Sequence, residues 1–199
     1  VIDKWGDLTV RPGIAEEWTF LDASTIELKI RQGVKNHDGS TLTTEDVAWC
    51  INHWKEMPQI AGTAGFVDRA EKTGDDVVTL YLAYPYTYAI QGMTPCSMAV
   101  IAQAPYEADP EGFEKHPIGT GPYKLKDYQS GEWYTCERFD DYWSEELSGI
   151  TKYITMKVIP EASQRLTLLE TGEVDAAYDI AYNDVAKVEA SDKMELHSI

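Results

Sequence analysis

The sequence predicts an α/β protein in two parts, a hairpin-rich region followed by an α/β region, and three observations carry that expectation. Residues 25–31 alternate with period two, which puts Ile26, Leu28 and Ile30 on one face of a half-buried strand. Thr43 stands three residues before Asp46, at the head of an apolar stripe of helical spacing formed by Val47, Cys50, Ile51 and Trp54. Residues 152–198 then read as strand, helix, strand, helix and strand, at lengths for which crossover helices cover a largely parallel sheet.

Each element has its own local cause. The strand at 25–31 leads into Gly33-Val34-Lys35-Asn36-His37-Asp38-Gly39, where Asn36 and the Asp38-Gly39 pair mark a turn. The helix is capped by Thr43 with Asp46 at N3, Leu42 and Val47 form a hydrophobic staple across the cap, and Pro58 ends it. Residues 60–65 are a loop of small side chains. Residues 66–70 predict a short strand, Gly74-Asp75-Asp76 a turn, and the alternation of Val78, Leu80 and Leu82 the return strand of a hairpin.

Part of 86–93 is expected to be helical, and 108–114, with Asp109-Pro110 and Gly112, to be a surface loop or short helix. After the connector His116-Pro117-Ile118-Gly119-Thr120-Gly121-Pro122-Tyr123 come strands at 123–128 and 133–138, joined by a tight turn at Ser130-Gly131. Residues 152–159 form a strand with Ile154, Met156 and Val158 on one face. Pro160 and Glu161 open a helix that aligns Ala162, Leu166 and Leu169, and Gly172 closes it. A short strand at 174–178, a helix capped by Asn183 and running to about 190, and a strand at 194–198 complete the chain. The polar, aperiodic stretch 144–149 places a boundary between a first region, 1–147, and a second, 148–199.

Composition excludes several classes. The chain has 199 residues, 43% of them hydrophobic, enough to bury a substantial core. With 34 acidic against 17 basic residues its formal charge is -17, so its field repels phosphate backbones and nucleic acid is excluded as a partner. There is no apolar run of membrane-spanning length, and Val1-Ile2-Asp3-Lys4-Trp5-Gly6 has neither a Met start nor a signal-like pattern, as in a mature or a cut chain. Cys50, Cys96 and Cys136 cannot all pair within one chain, and read as small buried hydrophobes rather than a disulfide framework or thiol site.

The residues that resemble catalytic equipment have simpler readings. Gly33, Gly39, Gly119, Gly121 and Gly172 are backbone devices for turns and helix ends. A phosphate loop at Gly119-x-Gly121 is disfavoured because Pro122 removes a donor and the next segment alternates like a strand. His37 and Asp38 belong to a turn network, and His53, His116 and His197 share no ligand spacing with them, so no metal site is expected. Asp140 and Asp141 have no nucleophile nearby and no Gly-x-Ser-x-Gly elbow occurs, so no catalytic residue and no cofactor are assigned, and the chain is not expected to be an enzyme. Trp18, Trp54 and Trp143 read as mostly core. Tyr178, Asp179 and Tyr182 follow the strand expected at 174–178, at the carboxyl edge where open α/β sheets bind ligands; the rings would stack on the ligand and Asp179 or backbone groups take an amine or amide.

Beyond these readings the sequence resembles a family, the extracytoplasmic solute-binding proteins of ABC importers in the oligopeptide, dipeptide and nickel-binding class, family 5. The resemblance is carried by Pro12-Gly13-Ile14-Ala15-Glu16-Glu17-Trp18, by Leu28-Lys29-Ile30-Arg31-Gln32-Gly33-Val34-Lys35-Asn36-His37-Asp38-Gly39 and its continuation through Val47, by Pro117-Ile118-Gly119-Thr120-Gly121-Pro122-Tyr123, by 138–143, and by 158–175. Asn36 stands where an aromatic is commoner in that family, and Gln32 where a Lys or Asp is commoner.

The resemblance implies a periplasmic-binding-protein-like type II fold, of which this chain is a partial first lobe with a mixed sheet and a hairpin-rich subdomain, the second lobe being absent. It implies capture of oligopeptides or dipeptides for transport, with a metal-chelate or sugar receptor of the same class and a structural or adhesion module as alternatives. It further implies a membrane permease as partner, monomeric action, and an extracytoplasmic location, either periplasmic or lipid-anchored at the cell surface. The connector at 94–98 becomes a second ligand-binding candidate through Thr94, Cys96 and Met98, with ordinary packing as its alternative. Most residues that clamp the ligand would lie in the second lobe, so the isolated chain is expected to bind peptide weakly or not at all.

Overall fold

The structure is a computed structural model and describes residues 3–4, 10–95 and 98–197. Two compact units emerge from it: Val1–Leu125 with Cys136–Tyr153, and Lys126–Thr135 with Ile154–Ile199.

In the first unit, β1 (Asp3–Lys4) and β2 (Val10–Arg11) form a small antiparallel ladder. The main sheet follows, built from β3 (Ala15–Phe20), β4 (Thr25–Ile30), β5 (Val67–Lys72) and β6 (Val77–Leu82) in the antiparallel order β3-β4-β6-β5. The register sets Ile26 opposite Leu80 and Leu28 opposite Val78, so the period-two face of β4 meets the period-two face of β6. All four side chains are buried to 1% exposure or less. Cross-strand pairs of this kind are the unit by which a sheet is stabilised.

Helix α1 (Thr44–His53) packs on β5 and buries Val47, Ala48, Cys50 and Ile51. Its start is the expected capping box: the Thr43 hydroxyl accepts from Asp46 N–H at 3.0 Å while the Asp46 carboxylate accepts from Thr43 N–H at 2.8 Å. Asn52 ties the helix to β5, its amide donating to the Ala70 carbonyl at 2.8 Å and accepting from Ala70 N–H at 2.8 Å. Buried Cys50 exchanges hydrogen bonds with the backbone of Ile101, and desolvation pushes its thiol up to about 12, the behaviour of a buried small hydrophobe. Cys50 and Cys136 are both free, and Cys96 lies outside the described residues.

Residues 86–93 contain the short helix α2 (Ala89–Gly92); a helix not expected from the sequence, α3 (Gln103–Ala108), follows, and the segment 108–114, expected as loop or short helix, is mostly helix α4 (Pro110–Lys115). They break at Asp109, whose carboxylate accepts from Gly112 N–H at 3.0 Å while Pro110 takes the first helical position. Strands β7 (Tyr123–Gln129), β8 (Trp133–Arg138) and β9 (Tyr153–Lys157) form a sheet in that order, with the expected turn made by Gly131 at φ 77°. Positive φ is also present at Gly33, Gly39 and Gly172. Gly119 and Gly121 are not among the positive-φ glycines, so the turn-device reading fails for those two.

The second unit contains α5 (Ala162–Thr171), a 3-10 turn at Tyr182–Asp184 and α6 (Val185–Glu189), with Leu166 and Val188 buried and Lys187 paired to Glu170 at 2.6 Å. Here the sequence expectations need correction. Residues 174–178 form no strand, because Gly172 ends α5 in the left-handed conformation and Val174 N–H is taken by the Leu168 carbonyl, leaving no ladder to join. Residues 194–197 are not a strand either, and Ser198 lies outside the described residues. Asn183 sits inside the 3-10 turn and caps nothing; α6 starts after Asp184 without a side-chain cap. The largely parallel sheet expected for this region is therefore not formed by the described residues.

Candidate ligand-binding site

The first unit holds a cavity of about 740 Å³, within the range of small-molecule sites. One wall is the Gly13-Ile14 backbone just before β3. A second is the run from Thr94 and Pro95 through Met98 to Ile101, and a third is the connector from Pro117 to Gly121. Tyr123, Leu125 and Cys136 supply the β7 and β8 side, and Tyr142 and Trp143 complete the lining.

The third wall is held by His37, reaching across from the turn after β4. Gly119 N–H donates to His37 Nδ1 at 3.3 Å, His37 N–H donates to the Gly119 carbonyl at 2.9 Å, and His37 Nε2 lies 3.0 Å from the Gly121 carbonyl. Because Nδ1 accepts, the proton sits on Nε2 and the ring is neutral. Burial pushes its pKa below the ordinary value, helped by Lys124 and opposed by the Gly121 carbonyl and Asp38. The edge of Phe139 closes the packing at a centroid distance of 5.2 Å. On its other side Gly119 bridges to Ile101, so the connector is zipped between two segments of the unit. Asp38 serves the turn, accepting from Ser40 N–H at 2.9 Å, in accord with the turn-network reading.

The first and last walls are joined by Arg31 at the end of β4. Its Nε donates to the Gly13 carbonyl at 3.2 Å, its Nη1 pairs with Glu16 at 2.9 Å, and its guanidinium lies 4.2 Å from the centre of the Trp143 ring. Trp54 is fully core at 3% exposure, whereas Trp18 and Trp143 are only partly buried and Trp143 doubles as cavity wall.

The residues expected to bind ligand separate into two groups. Thr94 and Met98 both line the cavity; Met98 is fully buried and the Thr94 hydroxyl donates to the Gln91 carbonyl at 2.7 Å. Cys96 lies outside the described residues. Tyr178, Asp179 and Tyr182 belong to the second unit, on a loop rather than at a strand end, with the rings 74% and 91% exposed. Asp179 has φ 55°, and its carbonyl accepts from Arg165 Nη2 at 2.7 Å. Arg165 Nη1 also takes the carbonyls of Ile159 and Pro160, so one guanidinium organises that loop. Sequence reasoning missed Ile14, His37, Tyr142 and Trp143 as walls. The only signal available was that turn residues concentrate at 33–39 and 116–123, the two segments that meet in the structure.

The first unit thus combines an antiparallel sheet, helix α1 packed on β5, and a cavity whose lining has aromatic rings and no Asp, Glu, Lys or Arg among the described residues. Residues 9–198 match the family model described as bacterial extracellular solute-binding proteins, family 5 Middle, and the chain belongs to that family.

Among curated relatives, the oligopeptide-binding protein AppA of Bacillus subtilis (strain 168) is 32% identical over 179 residues, covering 84% of this chain and 32% of AppA. The glutathione-binding protein GsiB of Escherichia coli O1:K1 / APEC is 26% identical over 203 residues, covering 98% of this chain and 38% of GsiB. The structure of AppA in complex with a nonapeptide superposes with a TM-score of 0.74 at 28% identity, over 87% of this chain and 36% of that one. The binding protein AgaA in complex with agropinic acid, from A. tumefaciens R10, gives 0.84 at 22% identity over 96% of this chain and 39% of that one, a likeness of fold. The chain thus spans about a third to two fifths of the length of the relatives it matches. Membership in a solute-binding family makes it part of a binding protein rather than an enzyme.

Proposed function

We propose that this chain is part of the solute-binding component of an ABC importer, which captures oligopeptides or dipeptides outside the cytoplasm and delivers them to a membrane permease. The observation that carries the reading is the first-unit cavity, walled by Thr94, Met98, Tyr142 and Trp143 and held open by His37 and Arg31, in a chain 32% identical to an oligopeptide-binding protein. Cys96 stays with Thr94 and Met98 as a proposed ligand contact on the sequence alone. Tyr178, Asp179 and Tyr182 form a second proposed contact, in which exposed rings stack on the solute and the Asp179 carboxylate takes an amine. The location is extracytoplasmic, periplasmic or lipid-anchored at the cell surface, and the binding unit is a monomer.

The test is a calorimetric and NMR titration of the 199-residue chain with a mixed dipeptide and tripeptide library. Weak binding that perturbs cavity residues is the expected result. Turnover of ester or peptide substrates, or peptide-induced shifts confined to residues outside the cavity, would refute the reading.

A further inference from the structure

We infer that the first-unit cavity receives an uncharged, apolar side chain of the bound solute and refuses a charged one. This rests on the solute-binding reading above and adds the chemical class of group that the site accepts.

The lining contains no Asp, Glu, Lys or Arg among the described residues. Its polar atoms are largely committed already. The Thr94 hydroxyl donates to Gln91, the Tyr123 hydroxyl donates to the Thr151 carbonyl at 2.8 Å, and both His37 nitrogens are engaged by the Gly119-Gly121 backbone. Burial keeps His37 neutral and Cys136 in its thiol form, so neither supplies a charge. Of the cations nearby, Arg31 lies over the Trp143 ring and is paired with Glu16, and Lys124 lies over the Phe139 ring at 5.7 Å.

A carboxylate or ammonium entering this space would leave water without meeting an ionised side chain in the lining, a costly form of burial. An apolar group meets complementary surface instead. The half-buried rings of Tyr142 and Trp143, 5.2 Å apart at 49°, supply that surface, backed by the buried side chains of Met98, Ile14 and Val100. Selection is therefore by exclusion of charge together with dispersion contacts to the rings. A site of this type accepts leucine, methionine or aromatic side chains without resolving sharply among them, because one methylene alters transfer energy far less than one buried charge does.

The experiment is an NMR titration of the whole chain, with methionine methyls and backbone amides as reporters. The probes are N-acetyl-leucinamide and N-acetyl-tryptophanamide against N-acetyl-aspartamide and N-acetyl-lysinamide, with Met-Leu and Asp-Asp as a peptide pair. Saturable shifts of the Met98 methyl and the Gly119 and Gly121 amides are expected with the uncharged amides, at affinities about tenfold or more above the charged ones. Thr94→Glu should weaken the uncharged amides and strengthen N-acetyl-lysinamide, while Thr43→Ser, outside the cavity lining, keeps the wild-type order. Equal binding of charged and uncharged amides overturns the inference. If peptides bind but cavity resonances stay still, the cavity assignment falls while solute binding stands; if no probe perturbs any residue, this inference falls.

Discussion

Gly119 donates its backbone N–H to Nδ1 of His37 at 3.3 Å and takes the His37 N–H on its own carbonyl at 2.9 Å, a reciprocal pair that joins positions 82 residues apart in the chain. The arrangement fixes one tautomer and makes the link sensitive to protonation, since an imidazolium cannot accept from Gly119.

The first prediction follows from that sensitivity. Burial holds the His37 pKa in the folded chain below the ordinary 6.5, so below that pH the unfolded chain binds more protons than the folded one. The stabilisation is fully present above pH 6.5 and is lost as pH falls through the folded value. Thermal melts from pH 7.5 down to 5 should show a decline in the wild type that His37→Gln lacks. At pH 7.5 the variant should be less stable by about 1 to 2 kcal/mol for its weakened bonds to the connector. Identical pH profiles would remove the histidine from this role.

Arg31 carries the second. Replacing it with Met keeps the aliphatic stem but loses the Gly13 bond, the Glu16 pair and the stack on Trp143, a cost of about 1 to 2 kcal/mol. Lys should recover only part of this, because a point charge cannot replace the planar fork. Urea unfolding followed by tryptophan fluorescence measures the loss. A shift of native-state emission would report the altered cover on Trp143.

The third concerns Thr43. Thr43→Ala removes the side-chain half of the capping box and should cost about 1 kcal/mol, with Thr43→Ser restoring most of it. A midpoint in urea unchanged by the alanine would show that α1 is held by its packing alone.

The thiols supply a fourth. Cys50 is buried with its pKa pushed up to about 12, whereas Cys136 is only half-buried. Prolonged iodoacetamide treatment at pH 9, followed by peptide mapping, should label Cys136 slowly in the native chain and Cys50 only after denaturant is added. Native labelling of Cys50 would contradict the packing of α1 against residue 101.

What was legible in the sequence was local. The alternation in β4 and β6, the Thr43 cap and the Gly172 helix end are each fixed by neighbours within a few residues, and the structure has all of them. The strands expected at 174–178 and 194–198 failed because a strand exists only with a ladder beside it. Apolar alternation cannot reveal that Val174 spends its N–H on the end of α5. The cavity was half legible: the family resemblance led to Thr94 and Met98, but walls drawn from residues 13–14, 37 and 142–143 leave no shared signal in one dimension. His37 read correctly as a turn residue, yet its partners stand more than 80 positions away.

The clasp between Asn52 and Ala70 bears on how the margin of the main sheet meets other chains. Strand β5 ends the order of its sheet, and such margins invite foreign strands to add on and seed fibrils. Here a side-chain amide imitates a peptide unit and occupies both main-chain groups of Ala70, so the border is already closed at its middle by the chain's own helix. An acidic protein emerging unfolded among its own copies thereby gains a built-in barrier to self-stacking, from one asparagine.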